Sequence, residues 1–328
     1  MSSEPFFDLA SLAKALVTAP LALEFLDLDK DRREQLGYTA DKMRGDEPIT
    51  VRQFLSHSSG LPPWLPFSAD STVPDLITNF KKYGIHPLLR SGIIGTSVYS
   101  DLNFRSLAEL LVLESSGQSY QSLAEKKFLI HQPWTPEKTK ALPVEVPDGP
   151  DRDTWIIAAP DGIESYPKRE LFLPHDANSR AGMIGHAGFG ANKEQFTSCL
   201  QNWLEGGWPE LQAVPTSVSE EGVTWGLGLW QVKNGPGRYG DFLLKLQLGP
   251  GVHVIEETTT SLSTPVELGD AGENTDWWMH TGFTGPIVFV NPKTKTVVAV
   301  LMHRLGPEGE LIDIDARRAR QYSALAKL

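Results

Sequence analysis

Cysteine is nearly absent from this chain: Cys199 is the only one in 328 residues. An internal disulfide framework is thereby excluded, and so is a metal site built from a cluster of thiolates. Cys199 itself reads as a buried structural thiol. Long apolar runs are missing too, none approaching the ~18 residues that a membrane span requires. No lysine- or arginine-rich block occurs and the formal net charge is -11, which argues against nucleic acid and anionic membrane surfaces as partners. The N-terminus lacks a basic segment followed by an apolar core, so no signal peptide is read. As the chain stands a cytoplasmic location is expected, or a periplasmic or other extracytoplasmic one if further residues precede Met1. There is no internal repeat and no low-complexity segment. What remains is ordinary globular usage, 40% hydrophobic and 22% charged, enough for one large domain or two smaller ones.

The spacing of Leu9, Leu12, Leu16, Leu23 and Leu26 predicts a helix from Leu9 to about Leu28. Asp8 is placed to cap its start, and Pro20 should kink or split it. Glu47 to Pro66 reads as a short helix entering a Gly/Pro-rich loop. Further helices are predicted over Leu102 to Ser115, ended by Gly117, and over Asn192 to Gly207. Residues 131–180, rich in Pro, Asp and Gly, read as a long excursion with little regular structure. The final third turns strand-like in "GVTWGLGLWQV", "DWWMHTGF", "GPIVFVN" and "TKTVVAVLMHR". Pro286 to Arg304 is a predicted hairpin whose two nearly all-apolar strands imply burial on both faces. An amphipathic helix over "DIDARRARQYSALAKL" closes the chain. This order predicts an α+β fold: an antiparallel sheet domain from residues 1–40 and 216–328, with a mainly helical domain, 41–215, inserted.

Three stretches can carry chemistry. Ser11 and Lys14 lie one helical turn apart, where an amine can take the serine proton or stabilise its alkoxide. The same spacing recurs at Ser165 and Lys168, in the Pro-rich excursion where no helix would align them. Taken alone, therefore, Ser11 and Lys14 read first as a cap-region serine and a solvated lysine, and only second as a nucleophile with its activating amine. Tyr99-Ser100-Asp101 precedes a predicted helix, and a tyrosine there can act as a general base if cations lower its pKa from ~10. His280-Thr281-Gly282 leads into the apolar hairpin, where a small residue lets a substrate lie along the strand near backbone N–H groups. Each has a plain reading as well, as a loop and cap, or as a strand entry.

Together and in this order the three stretches resemble the serine β-lactamase and penicillin-binding protein superfamily, marked by Ser-x-x-Lys, then Tyr-x-Asn, then Lys-Thr-Gly. The class C branch, which includes esterases and D-amino-acid peptidases, is the closer likeness. "ITVRQFLSHSSGLP", "HDANSRAGMIGHAGFGANKEQF" and "WGLGLW" resemble its further segments, so the likeness runs from Phe6 to the last helix. It implies a β-lactamase/transpeptidase-like fold, and a serine hydrolase acting through an acyl-enzyme on an ester or amide, without cofactor or metal. Ser11 would be the nucleophile, Lys14 its activating partner and Tyr99 the general base. Asp101, His280, Thr281, Gly282 and Phe283 would bind substrate, the N–H groups of Ser11 and Phe283 forming an oxyanion hole. Two positions depart from the pattern. Asp101 replaces an amide by an acid able to pair with Lys14, and His280 replaces a fixed cation by a group mostly neutral at pH 7. Both shift the expected substrate from a β-lactam carboxylate towards esters or peptides, with Arg304 as a possible replacement cation or an ordinary solvated arginine.

Only ten residues precede Ser11, so the family's N-terminal strands are expected to be short or missing, leaving an open sheet edge through which a homo-oligomer could form. The alternative reading is a non-catalytic protein that keeps the fold and a ligand cleft. His57 and His186 are expected to pin loops beneath the site. His175 and Asp176 lack a second cluster to complete a metal set. The nine tryptophans read as core and cleft walls, with a carbohydrate platform as the other possibility.

Overall fold

The computed structural model describes residues 7–37, 48–61, 63, 95–128, 185–232, 243, 248–257, 276–304 and 312–328. The expectations for 131–180, including Ser165, Lys168, His175 and Asp176, lie outside the described residues.

Apolar side chains on both faces bury the strands of the Pro286 to Arg304 segment in the interior of the sheet. β9 (Ile287–Asn291) and β10 (Thr296–Met302) pair antiparallel, with Val298 opposite Phe289, and every residue of both strands is buried. The two-residue period of a strand then splits them. Val297, Ala299 and Leu301 enter one core with the N-terminal helices, while Val298, Val300 and Met302 enter a second with Tyr322 and Leu325.

Among the described residues the sheet has eight strands: β2 (Thr96–Ser97), β4 (Ser217–Ser219), β5 (Thr224–Trp225), β6 (Trp230–Gln231), β8 (Trp278–Thr281), β9, β10 and β7 (Gly251–Glu257). The run from β4 to β10 is antiparallel, as the sequence suggests, but the outermost pairing at each end, β2 with β4 and β7 with β10, is parallel. No strand is predicted over 251–257. There β7 pairs with β10 along its whole length, so the β10 edge is covered by a strand from inside the chain. Among the described residues the N-terminal strand β1 (Phe7–Asp8) pairs with β3 (Gly190–Ala191), outside the main sheet.

Pro20 does not interrupt the first helix. The chain passes it by widening into one π-turn over Lys14–Thr18, followed by α1 (Ala19–Phe25) with Pro20 in its first turn. Proline has no N–H, so in an α-helix the Leu16 carbonyl would lack its partner, and shifting the bonds by one residue moves that loss to the Ala15 carbonyl. The Ala19 N–H accordingly reaches the Lys14 carbonyl. The shift leaves the Ala15 carbonyl facing Pro20, and the Nε2 of Gln212 donates to it at 2.8 Å.

The other described helices have signals in the sequence. Thr50 with Gln53 and Asn192 with Gln195 form capping boxes at the starts of α2 (Val51–Leu55) and α5 (Lys193–Glu205). Between these lie α3 (Asp101–Glu114) and α4 (Tyr120–Phe128), and α6 (Trp208–Gln212) follows. Asp313 caps α7 (Ile314–Leu325). Cys199 is buried in α5, and burial pushes its thiol up to about 12, as befits a packing residue. Trp203, Trp225, Trp230, Trp277 and Trp278 are buried in the two cores. Among the described residues no helix is long and apolar enough to cross a membrane.

Candidate active site

Ser11 sits at the sharpest bend of the N-terminal segment. Ala10, just before it, has a φ of 43, a left-handed backbone that costs an alanine roughly 1 kcal/mol. The bend is held from both sides. Asp8 Oδ1 accepts the Ala10 N–H at 2.8 Å rather than capping the helix, the Leu9 N–H donates to Phe189, and the Leu9 carbonyl accepts from Leu12. The helix that starts here puts Lys14 one turn on, and its Nζ donates to Ser11 Oγ at 2.8 Å.

Lys14 is fully buried and has two further partners. Asp101 Oδ1 lies 2.9 Å from its Nζ, and the His186 carbonyl accepts from it at 3.0 Å. Asp101 is the first residue of α3, where a carboxylate also meets the positive end of the helix dipole. Tyr99, two residues earlier in extended chain, places its hydroxyl against both Lys14 and Ser11, with the ammonium 5.0 Å from its ring centre. Ser11 and Tyr99 remain partly open to solvent, whereas Lys14, Asp101 and His280 do not.

Burial disfavours the Lys14 charge, but Asp101 and Tyr99 outweigh it, and its pKa ends above the ordinary lysine value. Burial likewise raises Tyr99, and the attraction of Lys14 offsets this only in part. At neutral pH the lysine is therefore an ammonium and the tyrosine a phenol. Burial, then the charge of Lys14, pushes His280 down to about 3, so it is neutral. Its Nδ1 faces the Thr281 carbonyl at 3.0 Å, and its ring lies 6.1 Å from that of Tyr99.

The turn after β8 closes the site from the other side. A Cβ on Gly282 would stand 2.7 Å from the Leu9 carbonyl oxygen, so the small residue admits the neighbouring backbone here. Its own N–H is committed to Pro286 at 2.7 Å. Thr284 Oγ1 donates to the Asp8 carbonyl, which ties the turn to the segment ahead of Ser11. Phe283 carries the Arg304 guanidinium over its ring at 4.6 Å, and Arg304 Nε donates to Ile312. Arg304 is thus a packed and hydrogen-bonded side chain.

Ser11, Lys14, Tyr99, Asp101 and His280 therefore meet in one place, with Thr281 at the end of β8, Gly282 and Phe283 on the adjoining turn and Arg304 behind Phe283. The His186 carbonyl was not among the expected site groups, and no side-chain pattern could reveal a backbone acceptor. Among the described residues no group of three or more His, Cys, Asp or Glu is placed to hold a metal ion.

Known proteins share the fold. Solved structures with a similar fold include a class C beta lactamase from Rhodobacter sphaeroides, 16% identical with a TM-score of 0.55, over 99% of this chain and 86% of that one. A family VIII carboxylesterase is 13% identical with a TM-score of 0.54, over 99% and 84%. The octameric penicillin-binding protein homologue from Pyrococcus abyssi is 17% identical with a TM-score of 0.54, over 99% and 66%. No curated protein gives a match. The family model described as Beta-lactamase matches residues 1–322, nearly the whole length, and the chain belongs to that family.

Proposed function

We propose that the protein is a serine hydrolase that forms an acyl-enzyme on Ser11 and acts on uncharged esters or amides. One observation carries the reading: Lys14 Nζ stands 2.8 Å from Ser11 Oγ while the Tyr99 hydroxyl touches both. The resting site holds one proton too many for nucleophilic attack, since both Lys14 and Tyr99 are protonated. Loss of one proton from this coupled pair gives the reactive form. Its free base, the Tyr99 oxygen or the Lys14 nitrogen it exchanges with, takes the Ser11 proton as Oγ bonds to the substrate carbonyl carbon. That proton passes to the leaving alkoxide or amine when the old bond breaks. A water then loses a proton to the same base and attacks the acyl carbon, and the carboxylic acid departs as Ser11 is restored.

The charge pattern supports an uncharged substrate. His280 is neutral, Asp101 neutralises Lys14, and Arg304 is packed against Phe283, so the described site presents no unpaired cation to anchor a carboxylate.

Intact-mass measurement after treatment with a fluorophosphonate tests the reading: a single adduct on the native chain and none on Ser11→Ala. p-Nitrophenyl esters should then be turned over faster than nitrocefin or a D-Ala-D-Ala peptide. Absence of an adduct on the native chain would leave the non-catalytic binding protein as the surviving reading.

A further inference from the structure

His57 carries two burdens that a loop-pinning residue has no need of. It is buried, with 1% of its surface exposed, and its φ is 57, in the left-handed region that histidine enters at some cost. Its Nε2 is also buried and, among the described residues, meets no hydrogen-bond partner. Leaving such a group unsatisfied costs about 1–3 kcal/mol. Its ring is boxed in by Phe104 and Trp225, with centroids 5.2 and 4.7 Å away, and three further contacts fall on consecutive residues. The His57 carbonyl accepts the Val98 N–H at 2.9 Å, and its Nδ1 accepts the Ser100 N–H at 3.0 Å. Between those anchors its ring packs against the Tyr99 ring, centroids 4.6 Å apart.

The tautomer is fixed by the same neighbours. Asn103 Oδ1 accepts from the Ser59 hydroxyl, which turns its Nδ2 towards His57 Nδ1 at 3.3 Å. Two donors thus face Nδ1, so Nδ1 bears a lone pair and the proton sits on Nε2. Only a neutral imidazole satisfies this arrangement, and burial, with Lys14 and His280 nearby, holds the His57 pKa well below the ordinary value. The strained backbone and the unsatisfied Nε2–H persist because the rest of the residue is held by residues 98–100 together with Asn103, Phe104 and Trp225. Strain of this kind gathers where a functional group must be placed accurately.

We infer that His57 is a positioning residue for Tyr99, its Nδ1 lone pair and backbone carbonyl clamping the residues on either side so that the phenol stays against Ser11 and Lys14. The inference rests on the serine hydrolase reading, and deepens it by assigning the placement of the base to a residue outside the three motifs. His57 touches no reacting atom and acts wholly through Tyr99.

The test uses variants compatible with the left-handed backbone. Asparagine tolerates that φ and carries an oxygen near the Nδ1 position, whereas glycine tolerates it and carries no acceptor. With p-nitrophenyl acetate, His57→Asn should keep kcat within about threefold of the native chain, while His57→Gly should lose about tenfold to a hundredfold in kcat with KM little changed. The rising limb of its pH–rate profile should also move to lower pH, because water entering beside Tyr99 relieves the burial that raises it. His57→Gln keeps the bulk but moves the acceptor to the Nε2 position, so it should behave like the glycine variant and serves if that variant does not fold. If the native chain reacts with a fluorophosphonate but all three variants match its kcat and pH profile, the positioning role is overturned and the hydrolase reading stands. Asn as slow as Gly would also overturn it. A native chain that forms no adduct removes both.

Discussion

Lys14 Nζ lies 2.9 Å from Asp101 Oδ1, with both side chains shielded from water. This ion pair decides which protonation state of the site is at rest. Burial raises Tyr99 and the Asp101 charge raises both Tyr99 and Lys14, so in the proposed mechanism Asp101 helps to hold the proton that has to leave before Ser11 attacks. Asp101→Asn keeps an oxygen for the ammonium and removes the charge. Its rising limb of kcat/KM against pH should therefore lie at lower pH than the native one, giving faster turnover near neutrality. Asp101→Ala removes the acceptor too, and should cost about 3–5 kcal/mol in denaturant unfolding, as expected for a buried charge left unpaired. A limb that stays in place in Asp101→Asn would mean that Asp101 does not govern the titration.

Gly282 gives a second prediction. Its Cβ position is filled by the Leu9 carbonyl oxygen, a backbone atom that cannot swing aside. Gly282→Ala should push the turn away from the segment ahead of Ser11. Displacements of this order slow catalysis by about tenfold to a hundredfold. The rate of fluorophosphonate labelling should therefore fall markedly, while thermal unfolding shifts by only a few degrees. Unchanged labelling would show that the contact between the turn and Leu9 does not set the site geometry.

The side chains of the candidate site were legible because the proposed chemistry would dictate their type: Ser11, Lys14, Tyr99, Asp101 and His280 lie together as their motifs suggest. The β9–β10 hairpin was legible because strands buried on both faces must be apolar throughout. Other features carry no local signal. The His186 carbonyl that holds Lys14 would be there whatever residue stood at 186. The β7 strand mixes Val252, Val254 and Ile255 with His253, Glu256 and Glu257, and it is a strand because the β10 edge needs a partner. Gly282 was marked as special, but for room along a strand, whereas Leu9 occupies that room.

Acid should unfold this protein in a characteristic way. His57, His280 and His303 are all held neutral, burial being the main cause, with His280 down to about 3 and His303 to about 4. Their folded pKa values are depressed below the unfolded value of about 6.5, so below that pH the unfolded chain binds protons that the folded chain does not. Stability is therefore complete above pH ~6.5 and declines as the pH falls towards the folded values, by up to about 1.4 kcal/mol per pH unit for each histidine and about 4 for the three. His303 stacks on Phe7 at 4.7 Å, so His303→Phe keeps an aromatic contact and should reduce the slope by about a third. Urea unfolding between pH 6 and pH 4.5 measures it. Equal slopes for the two proteins would show that His303 takes up its proton in the folded state.

Gln212 supports the active-site helix from outside the motifs. Its Nε2 donates to Ala15 at 2.8 Å and to Leu227 at 3.1 Å, while its Oε1 accepts the Trp203 indole N–H at 2.7 Å. The Ala15 carbonyl depends on it because the π-turn leaves Pro20, without an N–H, in the place of a donor. Gln212→Leu preserves bulk but strands two carbonyls and an indole N–H in a dry interior, at about 1–3 kcal/mol for each group. Substantial destabilisation should follow in chemical unfolding, and the π-turn that starts at Lys14 should lose its anchor. Gln212→Glu offers a sharper comparison. It keeps the acceptor for Trp203 but brings a carboxylate to the two carbonyls, so it should be at least as destabilised as the leucine variant and its defect should ease as the pH falls and the acid gains a proton to donate. A glutamate variant as stable as the native chain at neutral pH would show that the Ala15 carbonyl needs no donor.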